Sequence, residues 1–444
     1  MLQKIVMGKY LLIPIILISV LSCKKETGTT YMTAERARYY FDAISEICRE
    51  DAGDLWGKDL CGPLMFVDPT TRKITANVQD SEKLLKLKDG VYTGTFPKEK
   101  LIDIIAFEFG GTLYGTVRLP NNEDEYVIKA YAIHSLVHSM QQHKGIYPQT
   151  FNNRHLSEKN ARMWLKLEWR ALRSAISSEG EERNLAIRDA LIFRGARHEA
   201  YPAYVNDERR FENYEGLPTF SYTLLCTSSR EEQKNRLLDG INFYYGRNTY
   251  HSTYGFIHGA LYAYLLYDKG FRPGLLTTDN ADLGGLTAEY YGVTMPEVIR
   301  DVAGSIAINY NIETIRQEEA EREQRIKEEV AKKLNVYTEK PVVFLDLESP
   351  SFGFEPTDPS SLDTLGTIYT SLRVSDNWGK LIVNETGCLV SHNLKEIRVP
   401  AKGIKSVKGH ISGEGWDLWL ADTWEMVKSD QNYLVRKLAP RPSP

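Results

Sequence analysis

The chain has 444 residues, of which 42% are hydrophobic, with 55 Lys and Arg set against 59 Asp and Glu. That hydrophobic content and seven tryptophans suffice for packed cores in two or three domains, and the acidic balance (formal net charge −4) excludes a nucleic-acid binder. Five cysteines without any Cys-x-x-Cys spacing exclude a zinc ribbon and a dithiol redox motif.

The N-terminus carries an address. Lys4 and Lys9 precede an apolar run from Tyr10 to Leu21, which ends in Val20-Leu21-Ser22-Cys23 and then Lys24-Lys25-Glu26. A charged start, a short apolar core and a small residue before cysteine are the marks of a bacterial lipoprotein signal, with Cys23 as the acylated residue. The core of about 12 residues is too short for a permanent span of a roughly 30 Å bilayer. Residues 1–22 are therefore expected to be removed, and 23–32 to tether a soluble domain to a membrane of the cell envelope, either periplasmic or at the cell surface.

From Thr33, a possible cap, Ala34, Ala37, Tyr40, Phe41 and Ile44 recur at helical spacing. Between Pro63 and Pro120 the chain reads as short strands and turns, with Phe107-Glu108-Phe109 and Leu113 to Leu119 alternating as sheet strands do. From Asn121 to about Asn335 the pattern is mostly helical. The first helix there contains Val127, Ile128, Ala130, Tyr131, Leu136, Val137 and Met140, which make it a mostly buried one, and within it His134 and His138. Histidines at i and i+4 share one helix face and can reach a single tetrahedral metal ion; the bland alternative is two hydrogen-bonded core histidines. Further helices are expected over Asn153 to Ser177, Asn184 to Arg197 and Gly255 to Tyr267.

The segment Glu313 to Lys333 pairs Glu318 with Arg322, Glu321 with Arg325, Glu323 with Lys327 and Glu328 with Lys332 at i,i+4, as a solvated helix between two domains would. After Pro341, short apolar or alternating runs at Val342 to Leu347, Gly366 to Val374, Gly379 to Val383, Glu396 to Val399 and Trp416 to Leu420 predict a β-sandwich or small barrel. Its Trp378, Trp416, Trp419 and Trp424 suit either a ligand platform or a core. Cys48 and Cys61 are the nearest cysteines in sequence; a disulfide between them and four free buried thiols are both open readings.

The stretch Tyr131-Ala-Ile-His134-Ser135-Leu-Val-His138-Ser-Met140 resembles the His-Glu-x-x-His helix of gluzincin zinc peptidases, and Phe211-Glu212-Asn-Tyr-Glu215-Gly-Leu-Pro218-Thr-Phe220 resembles their downstream Glu-Gly-Leu segment. Asp54 to Pro63, Leu165 to Leu172 and Gly366 to Tyr369 look like segments of a family of secreted bacterial proteins of unknown role, whose members usually keep the His-Glu-x-x-His intact. The resemblance implies a mainly helical gluzincin-like domain with an N-terminal sheet over residues 33–310; with the charged helix over 311–340 and the all-β domain over 341–444 read from the residue patterns, an α+β chain is expected. The resemblance also implies zinc held by His134, His138 and Glu215, with Glu212 as the fallback ligand, and an edge strand able to pair with an extended peptide. Pro218 and Phe220 depart from the pattern and put the start of that helix in doubt.

Ser135 stands where the general base is usual, so the expected activity is weak or absent hydrolysis of a peptide or protein. Glu168 is a candidate replacement base, against its reading as half of a buried ion pair, and Tyr254 a candidate oxyanion donor. His251 and His258 are possible pocket residues. Two competing readings remain: a metal-free lipoprotein that binds a peptide or glycan on the same fold, and an active metallopeptidase using another base.

Overall fold

The computed structural model describes residues 32–438 apart from 99, 101, 103–104, 120–123, 249, 354–359, 363–364, 385 and 408. The signal sequence, Cys23 and nearly all of the tether lie outside the described residues. Among those described, no helix is long and apolar enough to cross a membrane.

Helix α1 (Ala34–Asp51) begins where Thr33 Oγ1 accepts the Arg36 N–H, and it buries Ala37, Tyr40, Ile44 and Cys48. The six strands that follow are β1 (Leu64–Val67), β2 (Lys73–Ala76), β3 (Lys86–Lys88), β4 (Val91–Thr95), β5 (Ala106–Phe109) and β6 (Thr112–Arg118). They form one sheet in the order β3-β4-β2-β1-β6-β5, antiparallel except for β1 against β6. Its central strand is buried on both faces, and the period of two divides it between two cores. Leu64 and Phe66 join the core shared with α1 and the helices, whereas Met65 and Val67 pack with Ile74, Phe96 and Tyr114 on the other side.

Helix α2 (Glu125–His143), capped by Asp124, lies against β6. The two approach closely because residue 115 is glycine: a Cβ there would come within 3.1 Å of the backbone of Ser135 and Leu136. Then come α3 (Lys159–Ser177), α4 (Gly180–Ala200), α5 (Val205–Phe211), a π-helical turn (Glu212–Gly216), α6 (Leu217–Leu225), α7 (Arg230–Tyr245), α8 (Tyr254–Tyr267), α9 (Leu283–Tyr291), α10 (Ile299–Ile306) and α11 (Ile312–Thr338).

Helix α11 departs from the expectation of a fully solvated connector. Its first half packs on α3, where Glu319 is buried and bonded to Arg162 at 2.7 Å and Lys166 at 2.8 Å. Of the four expected pairs, Glu323 to Lys327 is present at 3.8 Å, while Glu318 turns to Lys166 and Glu328 accepts from Gln324.

The C-terminal strands are β7 (Val342–Asp346), β8 (Ser351–Gly353), β9 (Ser360–Leu362), β10 (Gly366–Tyr369), β11 (Leu372–Asp376), β12 (Gly379–Val383), β13 (Cys388–Val390), β14 (Glu396–Pro400), β15 (Lys405–Val407), β16 (His410–Gly413), β17 (Trp416–Leu420), β18 (Trp424–Ser429) and β19 (Asn432–Lys437). They make a seven-stranded sheet, β18-β19-β7-β14-β13-β10-β9, and a six-stranded one, β15-β16-β17-β12-β11-β8. The expected single run from Gly366 to Val374 breaks at Thr370 and Ser371, so that β10 and β11 enter different sheets. Val343, Leu345, Val374, Leu381 and Leu418 fill the space between the sheets, together with Trp378 and Trp416. Those two tryptophans are core, Trp424 packs on the core's edge, and Trp419 alone of the four is substantially exposed. The protein is thus α+β, a sheet and a helical middle followed by an all-β part.

Candidate metal centre

His134 and His138 lie one turn apart on α2. Their Nε2 atoms are 3.0 Å apart, and each lies 3.4 Å from Glu215 Oε2. All three side chains are buried. Edges of 3.0 to 3.4 Å suit a tetrahedral ion, because donors about 2.0–2.1 Å from one zinc stand about 3.3 Å from each other. Glu215 Oε2 has no hydrogen-bond donor among the described residues, so this buried lone pair is available to a cation. The three residues form a buried group able to bind a metal ion.

Electrostatics favour the ligand-ready protonation states. Burial pulls His134 below the ordinary imidazole range, against the opposing pull of Glu215. Burial alone would push the Glu215 carboxyl up, but the two imidazoles beside it outweigh that and hold it at about 2. A neutral His134 and an ionised Glu215 are the forms a metal requires.

Glu215 reaches the histidines through a change of helical register. In an unbroken α-helix Glu208, Glu212 and Glu215, at i, i+4 and i+7, would form one stripe. The π turn lags behind that stripe and turns Glu215 toward α2, while Glu208 and Glu212 keep facing α4. Pro218 is the local reason, since it has no N–H to return to the preceding turn. The carbonyls left over, Asn213 O at 3.4 Å and Tyr214 O at 3.2 Å, accept from Gln141 Nε2, one turn beyond His138 on α2. Glycines let α8 close on the turn: a Cβ at Gly259 would lie 2.2 Å from Glu212 O, and one at Gly216 would lie 2.5 Å from Gly259 Cα.

Beneath the turn lies a buried ionic cluster that fixes its position. Arg194 grips Glu212 through both guanidinium NH2 groups at 2.8 Å. Arg197 bonds Glu208 at 3.0 to 3.3 Å and also donates to Glu168. Tyr262 and His258 approach the other oxygen of Glu168 at 2.6 and 3.1 Å, and Trp169 Nε1 donates to His258 Nδ1 at 2.9 Å. Burial pushes Glu168 and Glu208 up, but Arg197 leads the groups that hold both below the ordinary carboxyl range.

The structure therefore brings His134, His138 and Glu215 together and places the remaining candidates elsewhere. Glu168 and the fallback ligand Glu212 belong to the ionic cluster, and so does His258. Tyr254 OH donates to Glu212 Oε1 at 3.3 Å rather than facing the histidines. His251 is set against Ser157, its pKa lowered to about 4 by burial. Ser135 is buried, and its hydroxyl donates toward Tyr131 O at 2.8 Å and Thr116 O on β6 at 3.0 Å.

Aromatic rings that sequence reasoning did not single out wall the centre. Tyr214 lies 4.5 Å from the His138 ring, and Tyr222 and Phe256 lie 6.0 and 6.3 Å from His134. Burial pushes the Tyr222 phenol up to about 12, which keeps it a neutral donor. Tyr131, expected in the core, is 49% exposed on the same helix, one turn before Ser135. Gln141, Arg194 and Arg197 also escaped the sequence reading; charged and amide side chains inside otherwise apolar helices were the available signal.

No family model, curated protein or solved structure matches the chain.

Proposed function

We propose that this chain is an exported lipoprotein, acylated at Cys23 and anchored in the bacterial cell envelope, whose gluzincin-like domain binds one zinc ion through His134, His138 and Glu215 and has lost its general base. The observation that carries the reading is the meeting of two imidazole nitrogens and one donorless carboxylate oxygen at 3.0 to 3.4 Å in a buried setting. A bound zinc would supply Lewis acidity to a carbonyl or a water in its fourth position. Two histidines and a glutamate would hold it there, and Tyr222 would offer a neutral hydroxyl nearby.

Among the described residues, none of the candidate bases supports the removal of a proton from that water. Ser135 has no carboxylate, and its hydroxyl is directed at two backbone carbonyls. Glu168, Glu208 and Glu212 are each committed to arginine. A general base typically contributes 10²–10⁴-fold, so the reading favours capture of a peptide or protein over its turnover.

Metal content decides it. The mature chain, purified without chelator or a polyhistidine tag, is expected to carry about one zinc by elemental analysis, and His138→Ala to carry none. A protein that stays empty even after incubation with zinc would overturn the reading and leave the metal-free scaffold in its place.

A further inference from the structure

Among the described residues, one other group of His, Cys, Asp or Glu side chains lies close enough together to hold a metal ion, and it involves two thiols. Cys48 is buried on the inner face of α1, while Cys61 is exposed just ahead of β1. The chain reverses between them by a left-handed cap at Ala52 (φ 48°), whose N–H returns to Cys48 O, and by left-handed glycines at 53 and 57 (φ 77° and 69°). Asp59 Oδ1 then accepts the Cys61 N–H at 2.8 Å and fixes the loop's end. Cys61 Sγ stands 4.0 Å from Ile44 O, one turn before Cys48 on α1. As a result Cys48 Sγ, Cys61 Sγ and an Asp59 carboxylate oxygen lie within 4.8 Å of one another.

We infer that Cys48 and Cys61 are a disulfide pair, closed by oxidation and clamping α1 to the strand that leads under the metal-bearing helix. The strand's approach gives the clamp its consequence: Gly62 faces Leu136 of α2, and Pro63 O accepts the Gly115 N–H of β6. The two thiols differ in the way a stepwise oxidation needs. The hydrogen bond from Cys48 lowers the exposed Cys61 thiol and raises the buried Cys48. Cys61 as thiolate attacks the disulfide of a thiol oxidant, forming a mixed disulfide and releasing one oxidant thiol. Cys48, giving up its proton, then attacks Cys61 Sγ and expels the second. Two protons and two electrons pass to the oxidant's disulfide, which becomes a dithiol.

Only the compartment in which this happens rests on the export reading, so two preparations are compared. One is the chain exported with its own leader, and the other is made in a reducing cytosol and treated with oxidised glutathione. Each is trapped with N-ethylmaleimide after unfolding and mapped by mass spectrometry. A linked peptide joining residues 48 and 61, with Cys226 and Cys388 alkylated, is expected in both, and Cys23 is alkylated only in the cytosolic preparation, where it carries no acyl chain. Reduction should lower the melting temperature by a few degrees, and Cys61→Ser should abolish that response. A bond formed with glutathione but missing after export would keep the pair and reject the export reading. Both thiols alkylated in both preparations, or both held reduced on a bound thiophilic cation, would overturn the inference.

Discussion

Ser135 shows how much one side chain settles. It is 3% exposed, and its hydroxyl has carbonyl oxygens before it at 2.8 and 3.0 Å. A glutamate there would place a carboxylate against the two carbonyl oxygens that now accept from the Ser135 hydroxyl. Ser135→Glu is expected to cost the metal-free protein about 1–3 kcal/mol, read as a lower urea midpoint. Peptide hydrolysis should appear only if the longer carboxylate swings away from Thr116 toward the metal's open position. Unchanged stability would mean that the two carbonyl contacts carry no weight. At this scale the sequence was informative where geometry is local: His134 and His138 meet because they are four residues apart on a helix. It was silent about Thr116, whose carbonyl arrives from a strand 19 residues away.

The choice between Glu212 and Glu215 was not legible from helical arithmetic, because both fall on one stripe of a regular helix. The π turn separates them. Its causes, Pro218 and the glycines at 216 and 259, were visible as residues but not as a register shift. Two substitutions test this element. Gln141→Leu leaves Asn213 O and Tyr214 O without the amide that donates to them, and is expected to cost about 1–3 kcal/mol. Gly259→Ala forces a methyl to within 2.2 Å of Glu212 O, so α8 or the turn must move. If the turn positions Glu215, Gly259→Ala will weaken zinc binding, measured by competition with a chromogenic chelator, along with stability. Loss of stability with zinc affinity intact would show that α8 supports the fold without setting the ligand.

Across the whole molecule, layers were easier to read than the contacts that join them. Alternation in the N-terminal and C-terminal segments marked both β parts, and the 3.6-residue period marked the helices between. The charges misled, since a buried charge and a solvated one look alike in sequence. Glu318 and Glu319 read as surface residues of a connector, yet they bind Arg162 and Lys166 beneath it. In the interior Arg197, Glu168 and Glu208 tie α3, α4 and α5 together, and for Glu168 the buried ion pair was one of the two readings of the sequence. Arg197→Met keeps much of the side chain's volume but takes the shared arginine from two buried carboxylates, leaving Glu208 with His155 and His198 and Glu168 with Tyr262 and His258, at an expected cost of about 3 kcal/mol at pH 7. The sign of its pH dependence follows from the direction of the shifts. Glu168 and Glu208 are held below the usual range, so their contribution is fully present above the unfolded glutamate value of about 4.3 and is lost as pH falls through their folded values. In Arg197→Met the two carboxylates, without their arginine, relieve part of their penalty by taking up protons. The gap between the native and variant unfolding free energies, measured by urea melts, is therefore expected to narrow from pH 7 to pH 4. A gap that stays constant over that range would mean that Arg197 contributes through packing, and that the ionic cluster beneath the metal centre does not set the protein's acid stability.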